Sequence, residues 1–227
     1  MTKIKLCGLS RPCDIEAVNE LKPDYIGFVF AKKSKRYVTP EKAMELKKML
    51  DPSIEAAGVF VNEDVNTVAE LLNSGVIDIA QLHGDEDLAY VTALHKILVE
   101  QKVRTPRIVR AISVSSRSSV LKAMMWDGYV DGILFETPTN GYGGSGESFD
   151  WSLLSSYRGR TPFFLTGGIG PNSLEALKEF EHPMWLGVDL NSRFESEPGV
   201  KDVELLKPFI TELREAILKG DNKVYTL

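Results

Sequence analysis

Eight short apolar runs, each followed by a longer stretch with helical spacing, constrain this chain more than any other feature. The runs are residues 4–7, 25–30, 56–61, 77–82, 108–112, 132–135, 162–165 and 185–190. They are apolar almost without interruption, as strands of a parallel sheet covered on both faces are, whereas a half-exposed strand would alternate. Between them, residues 11–21 put Ile15, Val18 and Leu21 on one face. Thr39-Pro40-Glu41 reads as a cap, a proline at the first helical position and an acid in the first turn. Residues 62–72 carry Val65, Val68, Leu71 and Leu72 behind Asn62 or Asp64 as cap, and Asp85 reads as the cap of a helix over 85–98. Helical stretches at 115–125, 171–180 and 203–219, and a short one at 150–155, continue the alternation. Eight strand–helix units predict an α/β fold, a (β/α)8 TIM barrel, in preference to an open doubly wound sheet. No linker, low-complexity segment or charge block interrupts residues 1–227, so the expectation is one domain.

Composition narrows the function classes. The chain has 227 residues, 43% of them hydrophobic and 26% charged, with net charge −5. That balance argues against nucleic-acid binding, which requires a basic face. No run approaches the roughly 18 consecutive apolar residues of a membrane span, and the N-terminus enters a strand without a signal-like apolar segment. Cys7 and Cys13 do not make a disulfide framework, so a reduced, cytoplasmic setting is expected. The three histidines lack metal-ligand spacing, and no metal site is expected.

In a barrel of this kind the chemistry sits at the C-terminal strand ends, and a phosphate is commonly held by the loops after the last two strands. The seventh run ends in Thr166-Gly167-Gly168-Ile169-Gly170 and the eighth in Asp189-Leu190-Asn191-Ser192. Glycines there allow backbone N–H groups to approach an anion closely. A phosphorylated small molecule is the ligand these ends suggest. Cys7 closes the first run and is either a small buried hydrophobe or, with its pKa lowered by nearby cations, a base. Glu136 closes the sixth run and is either a structural carboxylate or an acid with a raised pKa. Arg36, in Lys32-Lys33-Ser34-Lys35-Arg36-Tyr37, can bind a carboxylate through two parallel hydrogen bonds. His83, after the fourth run, is an acid or base, a polar clamp or a hydrogen-bonded core residue. The glycine-rich segment 140–146 has neither the P-loop nor the dinucleotide pattern and reads as a cover or a backbone scaffold for the site.

Taken in order, Lys5-Leu6-Cys7-Gly8-Leu9, Lys33-Ser34-Lys35-Arg36-Tyr37, Gln81-Leu82-His83-Gly84, Tyr142-Gly143-Gly144-Ser145-Gly146, Thr166-Gly167-Gly168 and Val188-Asp189-Leu190-Asn191-Ser192 resemble the phosphoribosylanthranilate isomerase family of tryptophan biosynthesis. The resemblance spans nearly the whole chain. It implies an Amadori rearrangement that uses no metal and no cofactor. A monomer is the expected state. By the same resemblance Cys7 is the base and Glu136 the acid. Arg36 binds the anthranilate carboxylate, Gly167, Gly168, Asn191 and Ser192 hold the phosphate, and His83 and Asp189 contact substrate. The family's acid is usually aspartate, and a small residue commonly stands where this chain has Arg193. A related barrel, the aminoimidazole-carboxamide ribotide isomerase of histidine synthesis, usually has paired aspartates at strands one and five; Cys7 disfavours it.

Overall fold

A computed structural model describes residues 2–103, 106–138 and 148–219. Eight parallel strands form one closed barrel: β1 Lys3–Cys7, β2 Tyr25–Val29, β3 Glu55–Phe60, β4 Ile79–Leu82, β5 Arg107–Ser113, β6 Gly132–Glu136, β7 Phe163–Leu165 and β8 Trp185–Leu190. β8 pairs back onto β1, with Lys5 opposite Asp189. The helices are α1 Pro12–Leu21, α2 Pro40–Met49, α3 Val65–Asn73, α4 Leu88–Glu100, α5 Arg117–Ala123, α6 Leu174–Glu179 and α7 Val203–Lys219. Between β6 and β7 a 3-10 segment, Trp151–Ser156, stands where a full helix would be, capped by Asp150. The fold is the expected TIM barrel.

Local signals explain where most helices begin. The Thr39 hydroxyl accepts from the Lys42 N–H, and Pro40 follows at the first helical position. Of the two candidate caps of α3, Asp64 accepts from the N–H groups of Asn66 and Thr67. The start of α4 differs from expectation. Its cap is Asp87, which accepts from Tyr90 N–H at 2.8 Å. Asp85 is engaged elsewhere: its N–H donates to Asn62 Oδ1 at 2.6 Å and its carboxylate accepts from Asn62 Nδ2 at 3.2 Å. The loops after β3 and β4 are thereby tied together, and the helix starts two residues later.

Because side chains alternate across a strand, each strand faces both inward and outward. Outward residues such as Phe28, Phe60, Phe135 and Phe163 pack under the helices in the main core. Inward residues Tyr25, Ala57, Ile79, Val109, Ala111, Leu134, Phe164 and Leu186 fill the barrel as a separate cluster, with Tyr25 edge-to-face on Phe164 at 5.7 Å. Above this plug, Cys7, Val29 and Val59 form a small cluster beneath the mouth. The filled barrel confines any ligand to the strand ends. After β8 a short hairpin, β9 Glu195–Glu197 with β10 Val200–Lys201, folds beside the mouth; nothing in the sequence reading anticipates it. Among the described residues no helix is long and apolar enough to cross a membrane.

Candidate active site

The two-residue period of β1 turns Lys5 and Cys7 to the same inner face. Cys7 is buried, and its Cα partner on β2 is Gly27. A methyl group at Gly27 would lie 2.7 Å from the Cys7 sulfur, so that position must stay bare to seat the thiol. Lys5 Nζ meets Asp189 Oδ2 at 2.9 Å, with side-chain exposures of only 5% and 4%. Asp189 Oδ1 is buried and has no hydrogen-bond partner among the described residues. A buried acceptor is costly to leave unmade, so this oxygen is suited to receive a ligand hydroxyl.

Burial pushes the Cys7 thiol up; Lys5 and Lys201 pull it down, Asp189 opposes them, and the net direction is up. The thiol lowered by nearby cations, expected of a base, is therefore not the resting state. The cations are present, but removal of the thiolate from water outweighs them. The Lys5 ammonium is pulled down by burial and pushed up by Asp189 and Cys7, with a net upward shift.

Arg36 reaches this wall from the loop after β2. Gly8 has φ +80°, and a side chain there would come within 2.6 Å of Arg36 Cδ, so the chain needs glycine on both counts. Glu195 takes one edge of the guanidinium: Nε lies 3.0 Å from both carboxylate oxygens and Nη2 bonds Oε2. The Nη1 edge carries no hydrogen bond among the described residues. Glu195 Oε1 also accepts from Lys201 Nζ at 2.8 Å and Gly199 N–H at 3.2 Å, and Lys201 donates to Asn191 Oδ1 at 3.0 Å. Burial raises the Glu195 carboxyl, but Arg36 and Lys201 outweigh it and hold it below the usual range.

The opposite wall is built from β4, β5 and β6. Glu136 lies beside Ser113 in register, accepts from its hydroxyl at 3.0 Å and pairs with His83 Nε2 at 2.8 Å. Gln81, inward on β4, lies 3.1 Å from His83 Nδ1 and fixes the ring. Arg110 props this loop by donating to the carbonyls of Leu82 and Gly84 while its guanidinium covers the Trp126 ring at 5.3 Å. Burial pushes Glu136 up, yet His83, Ser113 and Arg110 together bring it below its ordinary value. The raised carboxyl considered from sequence is thus corrected: its hydrogen-bond partners outweigh its desolvation. A cleft of about 290 Å³ adjoins His83 and Glu136, with Ser113, Arg110 and Trp126 in its walls.

At the ends of β7 and β8 the backbone takes over. Gly167 and Gly168 have φ of +81° and +70°. Among the described residues the N–H groups of Gly167, Gly168 and Ser192 meet no protein acceptor. Thr166 Oγ1 bonds the Asp189 carbonyl at 3.0 Å and clamps the two strand ends together. Arg193 is exposed, and its stem lies against Gly170, where an added methyl would be 3.1 Å from its Cβ.

All nine residues singled out from sequence, Cys7, Arg36, His83, Glu136, Gly167, Gly168, Asp189, Asn191 and Ser192, therefore lie at the strand ends or in the loops that follow them. Asn191 differs in detail, since its side-chain oxygen already accepts from Lys201. The segment 140–146 lies outside the described residues. Sequence reasoning missed Lys5, Lys201, Glu195 and Ser113; the one available signal was Lys5 inside the otherwise apolar run 4–7. Residues 4–212 match the family model for N-(5'phosphoribosyl)anthranilate isomerase. N-(5'-phosphoribosyl)anthranilate isomerase of Parabacteroides distasonis is 39% identical over 214 residues, covering 92% of each chain. The crystal structure of phosphoribosyl anthranilate isomerase from Thermotoga maritima superposes with a TM-score of 0.80 at 30% identity, covering 95% of this chain and all of that one. A phosphoribosyl anthranilate isomerase in complex with reduced 1-(o-carboxyphenylamino)-1-deoxyribulose 5-phosphate gives a TM-score of 0.77 at 27% identity, with 95% and 100% covered. With model, sequence and fold all in agreement, the chain belongs to the N-(5'-phosphoribosyl)anthranilate isomerase family.

Proposed function

We infer that the chain converts N-(5'-phosphoribosyl)anthranilate to 1-(2-carboxyphenylamino)-1-deoxy-D-ribulose 5-phosphate, an Amadori rearrangement in tryptophan biosynthesis. The observation that carries the residue roles is the placement of Cys7 on β1 and Glu136 on β6, with the glycine-bearing ends of β7 and β8 between them. The phosphate docks on the N–H groups of Gly167, Gly168 and Ser192, and the ring carboxylate on the Nη1–Nη2 edge of Arg36. Anchors at both ends hold the sugar between acid and base, which is where positioning contributes most.

The Glu136–His83 pair delivers a proton to the furanose oxygen as its bond to C1 breaks, leaving the C1–N iminium. The Cys7 thiolate removes the C2 proton, and the electron pair of that bond neutralises the iminium as an enolamine. Tautomerisation places a proton on C1 and a ketone at C2, so substrate and product have the same formula. Asp189 Oδ1 accepts from a sugar hydroxyl, and Lys5 and Lys201 stabilise the transient thiolate. On this reading the working unit is a single barrel, cytoplasmic and monomeric, with no metal or cofactor required. Pure protein given freshly prepared N-(5'-phosphoribosyl)anthranilate should form the ring-opened ketone, identified by mass and borohydride reduction. Folded protein that leaves the substrate unchanged would defeat the assignment.

A further inference from the structure

We propose that Glu195 is a positioning residue for Arg36, presenting the unoccupied edge of the guanidinium to a carboxylate on the substrate's aromatic ring. The proposal rests on the isomerase reading for the identity of that carboxylate.

A guanidinium has two edges able to hold a carboxylate in parallel hydrogen bonds. Glu195 occupies the Nε–Nη2 edge, which leaves the Nη1–Nη2 edge without a partner among the described residues. A free arginine side chain samples many rotamers, and a ligand that must freeze it loses affinity accordingly. Here the side chain is already fixed. Its carboxylate partner is 3% exposed and is itself held by Lys201, 2% exposed, and by the Gly199 N–H. Ser10 Oγ ties the Gly199 carbonyl back to the loop after β1 at 3.3 Å. Lys201 continues the chain of bonds to Asn191, next to the glycine-bearing phosphate end. Glu195, buried and bonded to the guanidinium, acts through Arg36.

Electrostatics alone would give the opposite expectation. Removing a carboxylate from beside Arg36 strengthens the positive field and should tighten binding of an anion. Orientation and field therefore predict opposite signs, which makes the proposal testable. Glu195→Gln keeps the shape and removes the charge. We expect its KM for N-(5'-phosphoribosyl)anthranilate to rise about tenfold or more, with kcat within about threefold of wild type. The penalty should vanish for the phosphoribosyl derivative of aniline, which lacks the carboxylate, and in the Arg36→Met background. Glu195→Asp retains the charge but withdraws it by one methylene; it should show the same carboxylate-dependent KM increase and serves if the glutamine variant does not fold. A KM that is unchanged or lower, or one that rises equally for the aniline derivative, would overturn the proposal. Wild-type turnover in the same series separates that outcome from failure of the isomerase reading.

Discussion

The two walls of the barrel mouth are built in contrasting ways. On the β1–β8 side, Lys5, Asp189, Glu195 and Lys201 are all at least 95% buried at the side chain and joined by short ion pairs. On the β4–β6 side, His83 and Glu136 keep 28% and 21% of their side-chain surface and face an open cleft. The first wall is fixed before substrate arrives. The second retains access to water. The difference suits the steps assigned to each: removal of the C2 proton needs a dry, preset base, whereas the acid must be reprotonated in each cycle.

Stranding one partner of a buried ion pair in the first wall should cost stability, and perturbing the open wall should cost rate. Lys5→Met is the largest test of the first half. It strands Asp189 as an unpaired buried charge, and breaking such a pair typically costs about 3–5 kcal/mol. Chemical denaturation should show a loss of that size; a loss below about 1 kcal/mol would mean the pair is not the seam of this wall. Next comes Glu136→Asp. Sequence alone leaves its direction open, because the family commonly has aspartate. The structure sets the sign: His83 and Ser113 hold the two Glu136 oxygens at 2.8 and 3.0 Å, and shortening the side chain by about 1 Å breaks both contacts. Displacements of that size can cost about 100-fold in rate, so a slower enzyme is expected from steady-state kcat, and a faster one would show that the wall is not adapted to glutamate.

The smallest effect is a pH shift. In the free protein the thiol is raised and the carboxyl lowered, so between their two pKa values the pair holds one proton, mostly on Cys7. The reactive arrangement, with the proton on Glu136, has the same proton count and is a constant fraction across that interval. Thus kcat/KM falls at low pH as Glu136 takes up a second proton for the pair, and at high pH as Cys7 loses the last. His83→Ala removes the largest downward influence on Glu136, so its pKa rises and the acid limb of kcat/KM moves to higher pH. A limb that stays put or moves down would remove His83 as the group that tunes the acid.

What could be read from the sequence follows the same division. The eight apolar runs made the barrel legible because burial on both faces is a local property of each run. The strand-end residues followed from where such barrels do chemistry. The partnerships did not, because they are remote in sequence: Lys5 and Asp189 are 184 residues apart, and Arg36 and Glu195 are 159 apart. Glu195 and Lys201, in a short polar stretch after the last barrel strand, look like surface charges until the hairpin folds them inward. The helix cap at Asp87 in place of Asp85 turned on a tie to Asn62 that no periodicity shows. The directions of the Cys7 and Glu136 shifts were likewise hidden, since each is a balance between desolvation and neighbours brought in from other strands.

The claim on which the rest depends is that Cys7 is the base. Steady-state turnover of N-(5'-phosphoribosyl)anthranilate by wild type and Cys7→Ala, compared at matched thermal stability, tests it most directly. A general base contributes about 10²–10⁴-fold, so the variant should lose at least about 100-fold in kcat while unfolding at nearly the same temperature. A folded Cys7→Ala protein with a kcat close to wild type would contradict the account.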